Sequence, residues 1–414
     1  MIDINDKSRC CGCSACVQKC PKQCITMTED NEGFLYPKVN KEQCVNCGIC
    51  EHVCIEHHPY EEHYPLKAYA SKNNDYEIRT KSSSGGVFSL LAEAVLEQGG
   101  VVFGVRFDDN WECVHDCIDR KEGLPQFRGS KYIQSRIGNS YIQTEKLLKD
   151  GRLVLFSGTS CQIAALNRFL NKDYENLITV EVTCHGVPST KVWRENLKYW
   201  KRIAQRETNS VSPSPNLSIS ERSTSIKSKD MKIESISFRD KRTGWEKYSF
   251  ALTLAEASDD GKKNTVSLSH IHEEDPFMRL FIYDVILRPS CYHCPAKSGR
   301  TKSDFTLADF WHINKVIPDF NDDKGITLVY LNSEKAISFY DKLNCEEREI
   351  SIDDATKRKT AWFLNQRKVN PFRSIYFVLY SYCRFDSLAN FVTNYKYVKL
   401  LLRIKNKCRR WKKK

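Results

Sequence analysis

Cys10, Cys13, Cys16 and Cys20, followed by Pro21, repeat their spacing at Cys44, Cys47, Cys50 and Cys54. Both runs read C-x2-C-x2-C-x3-C, the interval by which two-cluster iron–sulfur proteins hold 4Fe-4S cubanes. Three thiols at x2 intervals suit the corners of a cubane, whereas structural zinc takes C-x2-C pairs from two separated knuckles around one tetrahedron. A short chain closes round two cubanes by crossing over, so the fourth cysteine of each run serves the other cluster. The first cluster is therefore expected on Cys10, Cys13, Cys16 and Cys54, and the second on Cys44, Cys47, Cys50 and Cys20. The second run ends Cys54-Ile55 where a proline is usual, which alters the turn and leaves the ligand.

A third set of four thiols is scattered further along. Cys161 and Cys184 each follow an apolar strand-like run, Arg152 to Ser160 and Leu177 to Thr183, and each precedes a stretch with helical periodicity. Ligands gather at the carboxyl ends of strands in an open parallel sheet, and a helix N-terminus favours an anionic thiolate. Cys291 and Cys294 add a C-x2-C pair. From spacing alone these four fit a third cubane, but they fit buried structural cysteines, a zinc knuckle or a redox pair equally well.

The elements that must position these groups are legible as an alternation. Helical periodicity covers Phe88 to Leu96, Tyr141 to Lys149, Gln162 to Leu170, Thr190 to Ile203 and Ala336 to Leu343. Strand patterns cover Val101 to Phe107, Arg152 to Phe156, Leu177 to Val182 and Ile326 to Leu331, with Ile233 to Phe238 and Tyr248 to Leu254 flanking a turn near Gly244. Strands alternating with helices predict an α/β body with a mostly parallel sheet plus added antiparallel strands, behind an α+β head. The expected divisions are 1–62, a two-cluster head; 66–205 and 233–345, the two parts of the body; 206–232, a Ser-rich flexible insertion; and 346–414, a helical region with a basic tail. Glu51 to Tyr64, with His57, His58 and His63, reads as a solvated linker.

Composition limits the function classes. The formal net charge of +12 is local: Lys396 to Lys414 holds ten Lys or Arg and no acid, which leaves a nearly balanced body without a nucleic-acid footprint. The tail interleaves Leu400, Leu401, Leu402, Ile404 and Trp411 with basic residues, a pattern shared by surface-binding amphipathic helices and by solvated basic termini. No window approaches eighteen apolar residues, and the first residues carry no secretory pattern, so nineteen cysteines are expected as reduced thiols in the cytosol, with membrane contact at most peripheral.

Ser83-Ser84-Gly85-Gly86 precedes a helix and offers hydroxyls and amides to a phosphate, though a Gly-Gly helix start is more often a plain turn. No GxGxxG fingerprint follows a strand, so a Rossmann NAD site is not indicated. The segments Ser82 to Phe88, Arg128 to Tyr132, Phe156 to Gln162, Cys184 to Pro188, Phe238 to Lys241 and Ser303 to Trp311 occur in the order of one family. They resemble the coenzyme F420 hydrogenase/dehydrogenase beta-subunit family, including forms fused to an N-terminal ferredoxin and found in bacterial polysaccharide gene clusters. The resemblance covers roughly the first 345 residues and departs from the family's usual pattern at Ser160, which stands in place of proline. It implies a flavin-binding body with FAD held by Ser83, Ser84, Gly85, Gly86, Gly129, Ser130 and Lys131. It also implies a 4Fe-4S cluster on Cys161, Cys184, Cys291 and Cys294. Lys131 would stabilise an anionic reduced flavin, and His185, beside a cluster ligand, is a candidate proton donor. The expected function is an iron–sulfur flavoprotein oxidoreductase joining a ferredoxin-like one-electron donor or acceptor to a two-electron small-molecule substrate, of which a sugar-linked intermediate is one guess. The alternatives are an electron-transfer subunit without a substrate of its own and a non-catalytic cluster-containing binding protein. Use of the deazaflavin coenzyme does not follow from the resemblance.

Overall fold

Val101-Val-Phe103 and Val154-Leu-Phe156 send alternate side chains to opposite faces of one sheet, and each face is covered by helices. The computed structural model describes residues 1–208, 217–220, 231–257, 263–356 and 366–394. These fall into two compact units. One comprises Met1–Val187, Lys241–Glu246 and Arg288–Arg367, and the other Pro188–Asp240, Lys247–Leu287 and the chain from Lys368. This division cuts across the expected boundaries, because the first sixty residues share a core with the body and the body's chain leaves and re-enters its own sheet.

In the first unit the head holds helices α1 (Ala15–Lys19) and α2 (Ile49–His52) and a hairpin of β1 (Ile25–Glu29) with β2 (Leu35–Val39). The body's sheet contains β3 (Lys67–Asn73), β4 (Val101–Phe107), β5 (Cys113–Ile118), β6 (Val154–Thr159), β7 (Leu177–Val182), β12 (Phe305–Asp309), β13 (Thr327–Leu331) and β14 (Cys345–Ile350). Their order is β14-β3-β13-β12-β7-β6-β4-β5. The block β12-β7-β6-β4 is parallel and β5, β13, β3 and β14 are added antiparallel, so five of the eight strands share one direction. On one face lie α3 (Tyr76–Lys81), α4 (Val87–Glu97) and α10 (Glu334–Tyr340); Leu91, Ala92 and Val95 of α4 pack with Val102 and Leu155. On the other, α5 (Ser140–Lys149) and α6 (Ser160–Leu170) bury Tyr141, Ile163 and Leu166 against Phe103 and Phe156. Short helices α9 (Ile313–Val316) and α11 (Ile352–Thr356) complete the unit.

Ala15, Val53 and Ile55 of the head lie in that same α5–α6 core. Within Glu51 to Tyr64, Val53 and Ile55 are buried, and the mostly exposed part from His57 onward is pinned rather than loosely solvated. The Arg168 guanidinium sits 4.1 Å over the Tyr60 ring, Arg300 pairs with Glu62 at 2.8 Å, and the His63 ring lies 2.8 Å from the Asn332 carbonyl oxygen.

The second unit is an antiparallel sheet of β8 (Leu217–Ser220), β9 (Lys232–Asp240), β10 (Ser249–Ala257) and β11 (Lys263–Ile271) in the order β8-β11-β10-β9. It is covered by α7 (Thr190–Thr208), α8 (Pro276–Ile282), α12 (Arg373–Leu379) and α13 (Phe385–Thr393). Trp193 fills its core against Phe238, Phe250 and Phe277. Four residues of the expected flexible insertion are thus a strand, paired antiparallel with β11 in a register that sets Leu217 opposite Leu268 and Ile219 opposite Val266. The rest of that insertion falls outside the described residues except at its margins in α7 and β9, and the basic tail from 395 lies wholly outside them. Among the described residues no helix is long and apolar enough to cross a membrane.

Candidate functional site

Each cysteine run enters a short helix through a left-handed residue, Ser14 at φ 62° and Gly48 at φ 76°, which turns the chain sharply enough for the following thiol to face its predecessors. The result is two apolar cavities. Cys10, Cys13, Cys16 and Cys54 line one, with Ile2, Ile4 and Met27; Cys20, Cys44, Cys47 and Cys50 line the other, with Ile25 and Val39. The fourth cysteine of each run therefore sits with the other run. Cys24 also lines the second cavity, its Sγ 3.5 Å from that of Cys20, a neighbour that spacing did not mark.

The body's four cysteines meet through strand register. Thr159 at the end of β6 is opposite Val182 at the end of β7, so Cys161 and Cys184 each follow two residues after that pair, near enough for one thiol to influence the other. Cys161 occupies the first turn of α6, held by a capping box in which the Thr159 amide donates to Gln162 Oε1 at 3.0 Å. Ser160, the departure from proline, donates its hydroxyl to buried Glu181 at 2.5 Å. Cys291 accepts from the Val187 amide at 3.2 Å, and Cys184, Cys294 and Cys161 lie close enough to oppose ionisation of its thiol. Lys297 donates to the Cys184 carbonyl at 2.7 Å.

Burial dominates the electrostatics. It pushes the Cys16 and Cys294 thiols up to about 12 and Cys184 to about 11, and Cys291 higher still. Without a metal such thiols keep their protons; coordination reverses this outright. Among the described residues no three His, Cys, Asp or Glu side chains converge on a point as a single metal ion requires, and the head thiols ring cavities instead.

One buried residue joins two of these sites. Cys11, absent from every spacing argument, interacts through its thiol with both Cys13 and Cys161, and Cys13, Cys16 and Cys294 pack on the core to which it belongs. The first head cavity is thus the inner one. The second is the outer one, with Cys47 and Val45 exposed.

The phosphate-candidate loops also meet. The Ser130 amide donates to the Ser83 hydroxyl at 2.6 Å, and Lys131 Nζ donates to the carbonyls of Gly129 and Arg128 at 3.2 and 3.3 Å. Gly86 caps α4 with no side-chain hydrogen bond, leaving helix amides available, and Gly129 at φ +85° has open space where a Cβ would stand. Ser84 and Gly85 face inward instead, the Ser84 hydroxyl on the Ile326 carbonyl at 2.7 Å and the Gly85 amide on Thr327 Oγ1 at 3.0 Å. Arg128, which sequence reasoning left aside, reaches Ser89 of α4 at 3.1 Å. Burial pushes Lys131 down to about 8. His185 accepts at Nδ1 from the Arg367 guanidinium at 2.8 Å, which leaves the ring N–H at Nε2.

The family model for the C terminus of the coenzyme F420 hydrogenase/dehydrogenase beta subunit matches residues 151–357, and the one for its N-terminal part matches 68–140. The chain belongs to the coenzyme F420 hydrogenase/dehydrogenase beta-subunit family. Ahead of these domains a 4Fe-4S dicluster domain matches residues 9–57, so this beta-subunit relative is built as an iron–sulfur electron-transfer protein. Its head is similar to a ferredoxin of Mycolicibacterium smegmatis, 33% identical over 20% of this chain and 71% of that one. An uncharacterized protein of Methanocaldococcus jannaschii is 26% identical over 42% of this chain, a stretch spanning 56% of that protein. A chain from the F420-reducing NiFe hydrogenase complex of Methanosarcina barkeri aligns over 80% of this chain and 90% of its own length, with 15% identity and a TM-score of 0.40.

Proposed function

We propose that the protein is an oxidoreductase that passes electrons between a ferredoxin-like partner and a two-electron substrate through three 4Fe-4S clusters and FAD. The observation that carries this reading is buried Cys11, whose thiol interacts with both Cys13 and Cys161 within one core, as a head cluster and a body cluster in series would require. Separate structural clusters would have no need of that adjacency. The three sites would be held by Cys10, Cys13, Cys16 and Cys54; by Cys44, Cys47, Cys50 and Cys20; and by Cys161, Cys184, Cys291 and Cys294. All are buried or partly buried thiols except Cys47, whose exposure fits the outer cavity to meet the partner.

FAD supplies the exchange between one-electron and two-electron steps. Ser83, the α4 amides after Gly86, Gly129 and Ser130 fit a phosphate, and Arg128 and Lys131 place positive charge there. Ser84 and Gly85 serve by fixing that loop to β13. With its Nδ1 engaged by Arg367, His185 has its N–H at Nε2 and acts as a hydrogen-bond donor toward a reacting oxygen or nitrogen.

Anaerobically purified protein is expected to hold about twelve iron atoms and one FAD per chain, with the flavin bleaching on addition of reduced ferredoxin. Protein that binds no flavin leaves only a cluster-binding role. Flavin that bleaches without turning over any small-molecule acceptor makes the chain an electron-transfer subunit of a larger assembly.

A further inference from the structure

Arg288 is fully buried, and its oxygen partners are neutral. Its Nε donates to the Cys10 carbonyl at 2.7 Å, one terminal nitrogen to the Leu35 carbonyl at 2.7 Å and the other to Gln134 Oε1 at 3.2 Å. Gln134 is in turn fixed by donating to the Cys11 carbonyl at 2.9 Å. The guanidinium lies 4.3 Å over the Tyr36 ring and approaches Cys10 Sγ at 3.7 Å. Among the described residues no carboxylate pairs with it. Burying a charge without a counter-ion is strongly unfavourable, so a fold keeps one only where an anion faces it. The groups on offer become anionic only when iron binds: the Cys10 thiol on the inner head cavity, 3.7 Å from the guanidinium, and, further off, Cys161 of the body site.

We infer that Arg288 is the buried countercharge of the inner head cluster and holds its reduction potential above that of the outer head cluster. The inference rests on the cluster reading above. Uptake of one electron makes a cluster one unit more negative, with no atom gained or lost. A fixed positive charge in a low-dielectric site, with an N–H aimed at a ligand sulfur, stabilises that reduced state more than the oxidised one. The cations on the outer cavity are of another kind: Lys22 is exposed, and the Met1 ammonium is already paired with Glu51 at 3.0 Å, so neither is a buried charge without a carboxylate. An electron arriving at the outer cluster therefore runs downhill to the inner one, beside Cys11 and the body.

The test is a redox titration of the intact, cluster-loaded protein followed by electron paramagnetic resonance, with Cys44→Ser used to assign the outer cluster's signal. In Arg288→Gln the inner cluster's midpoint is expected to move to more negative potential while the outer one stays in place. Arg288→Lys, which keeps the charge but not the planar fork, should shift it by less in the same direction. Should Arg288→Gln not load its inner cluster, Gln134→Leu, which loosens the guanidinium, provides the same negative shift at smaller size. An unchanged inner midpoint, an equal shift in both head clusters or a positive shift overturns the inference. The broader reading fails separately, on iron and flavin content of the unaltered protein.

Discussion

A left-handed backbone with no room for a Cβ admits only glycine, and Gly12 meets both conditions: φ is +70°, and an added Cβ would stand 2.8 Å from an Arg288 terminal nitrogen. Gly12→Ala must therefore displace the loop that carries Cys11 and Cys13. We expect it to lose the iron of the inner head cluster and keep that of the outer one, read by iron content and by the loss of one resonance signal; full iron content would sink the idea. His115 acts through another loop. Its Nε2–H donates to the Ser157 carbonyl at 3.1 Å, its Nδ1 accepts from Ser135 at 2.8 Å, and Gln162 donates to that same hydroxyl at 2.9 Å, so the ring braces the turn leading to Cys161. Burial pushes it down to about 4. The unfolded chain binds this proton near pH 6.5 and the folded chain does not, so stability is full above that pH and declines as pH falls toward 4, by about 3 kcal/mol in all. Denaturant unfolding of wild type and His115→Gln at pH 7 and 5 checks this: the variant is expected to lose less stability between the two, and identical losses would refute it. The eight head cysteines stood out because a cubane would fix their intervals, and the body four only through the resemblance to a family. Cys11 and Arg288 did not, since Arg288 meets Cys10 across 278 positions of sequence and nothing local announces the contact.

At the scale of elements, the aliphatic strands were the readable ones. Val101–Phe107 and Leu177–Val182 coincide with the expected runs, and their crossover helices follow where periodicity placed them. The strand after Arg152 starts at Val154 and extends to Thr159, which moves Cys161 from a loop into the first turn of α6. Strands β3 and β14 escaped because Lys67-Ala-Tyr-Ala-Ser-Lys-Asn73 is small and polar, and Cys345-Glu-Glu-Arg-Glu-Ile350 is charged as an exposed edge requires. Their pairing matters for the loop proposed to hold flavin. Gly85 packs against the middle of the sheet, where a Cβ would collide with the Ser71 carbonyl oxygen and stand 2.7 Å from the Thr327 amide. Neither backbone group can yield without breaking the β3–β13 ladder. Gly85→Ala is expected to cost about 1–3 kcal/mol and to release bound flavin, whereas Ser84→Ala, which removes one hydroxyl bond, should cost about 1 kcal/mol. Thermal unfolding and flavin retention on gel filtration separate the two; equal behaviour would show that the loop's tightness is immaterial.

Across the first unit, the head is joined to the body over a continuous buried surface, and that is what an electron path demands of it. Gln18 Oε1 accepts the Tyr141 and Ile142 amides at 3.1 and 3.3 Å, so a side chain of α1 caps the first turn of α5. Lys19 approaches Glu145 of α5 at 3.5 Å and sits 4.2 Å over the Phe169 ring of α6. Sequence foretold a separate head on a solvated linker because ferredoxin-like spacing marks a domain by itself; the apolar residues Val53 and Ile55, which bind it to the α5–α6 core, look like the head's own. Lys19→Glu sets a like charge against Glu145 and takes a cation from the Phe169 face, so it loosens this junction without touching a cluster ligand. We expect iron and flavin content to stay at wild-type levels. Reduced ferredoxin, which delivers electrons through the head, should then bleach the flavin more slowly, while a small chemical reductant with direct access to the flavin keeps its wild-type rate. Unchanged bleaching by both reductants would mean that the junction does not govern transfer, and equal slowing of both would mean that the substitution damages the flavin site itself. Either outcome removes the argument that the head is docked in order to conduct.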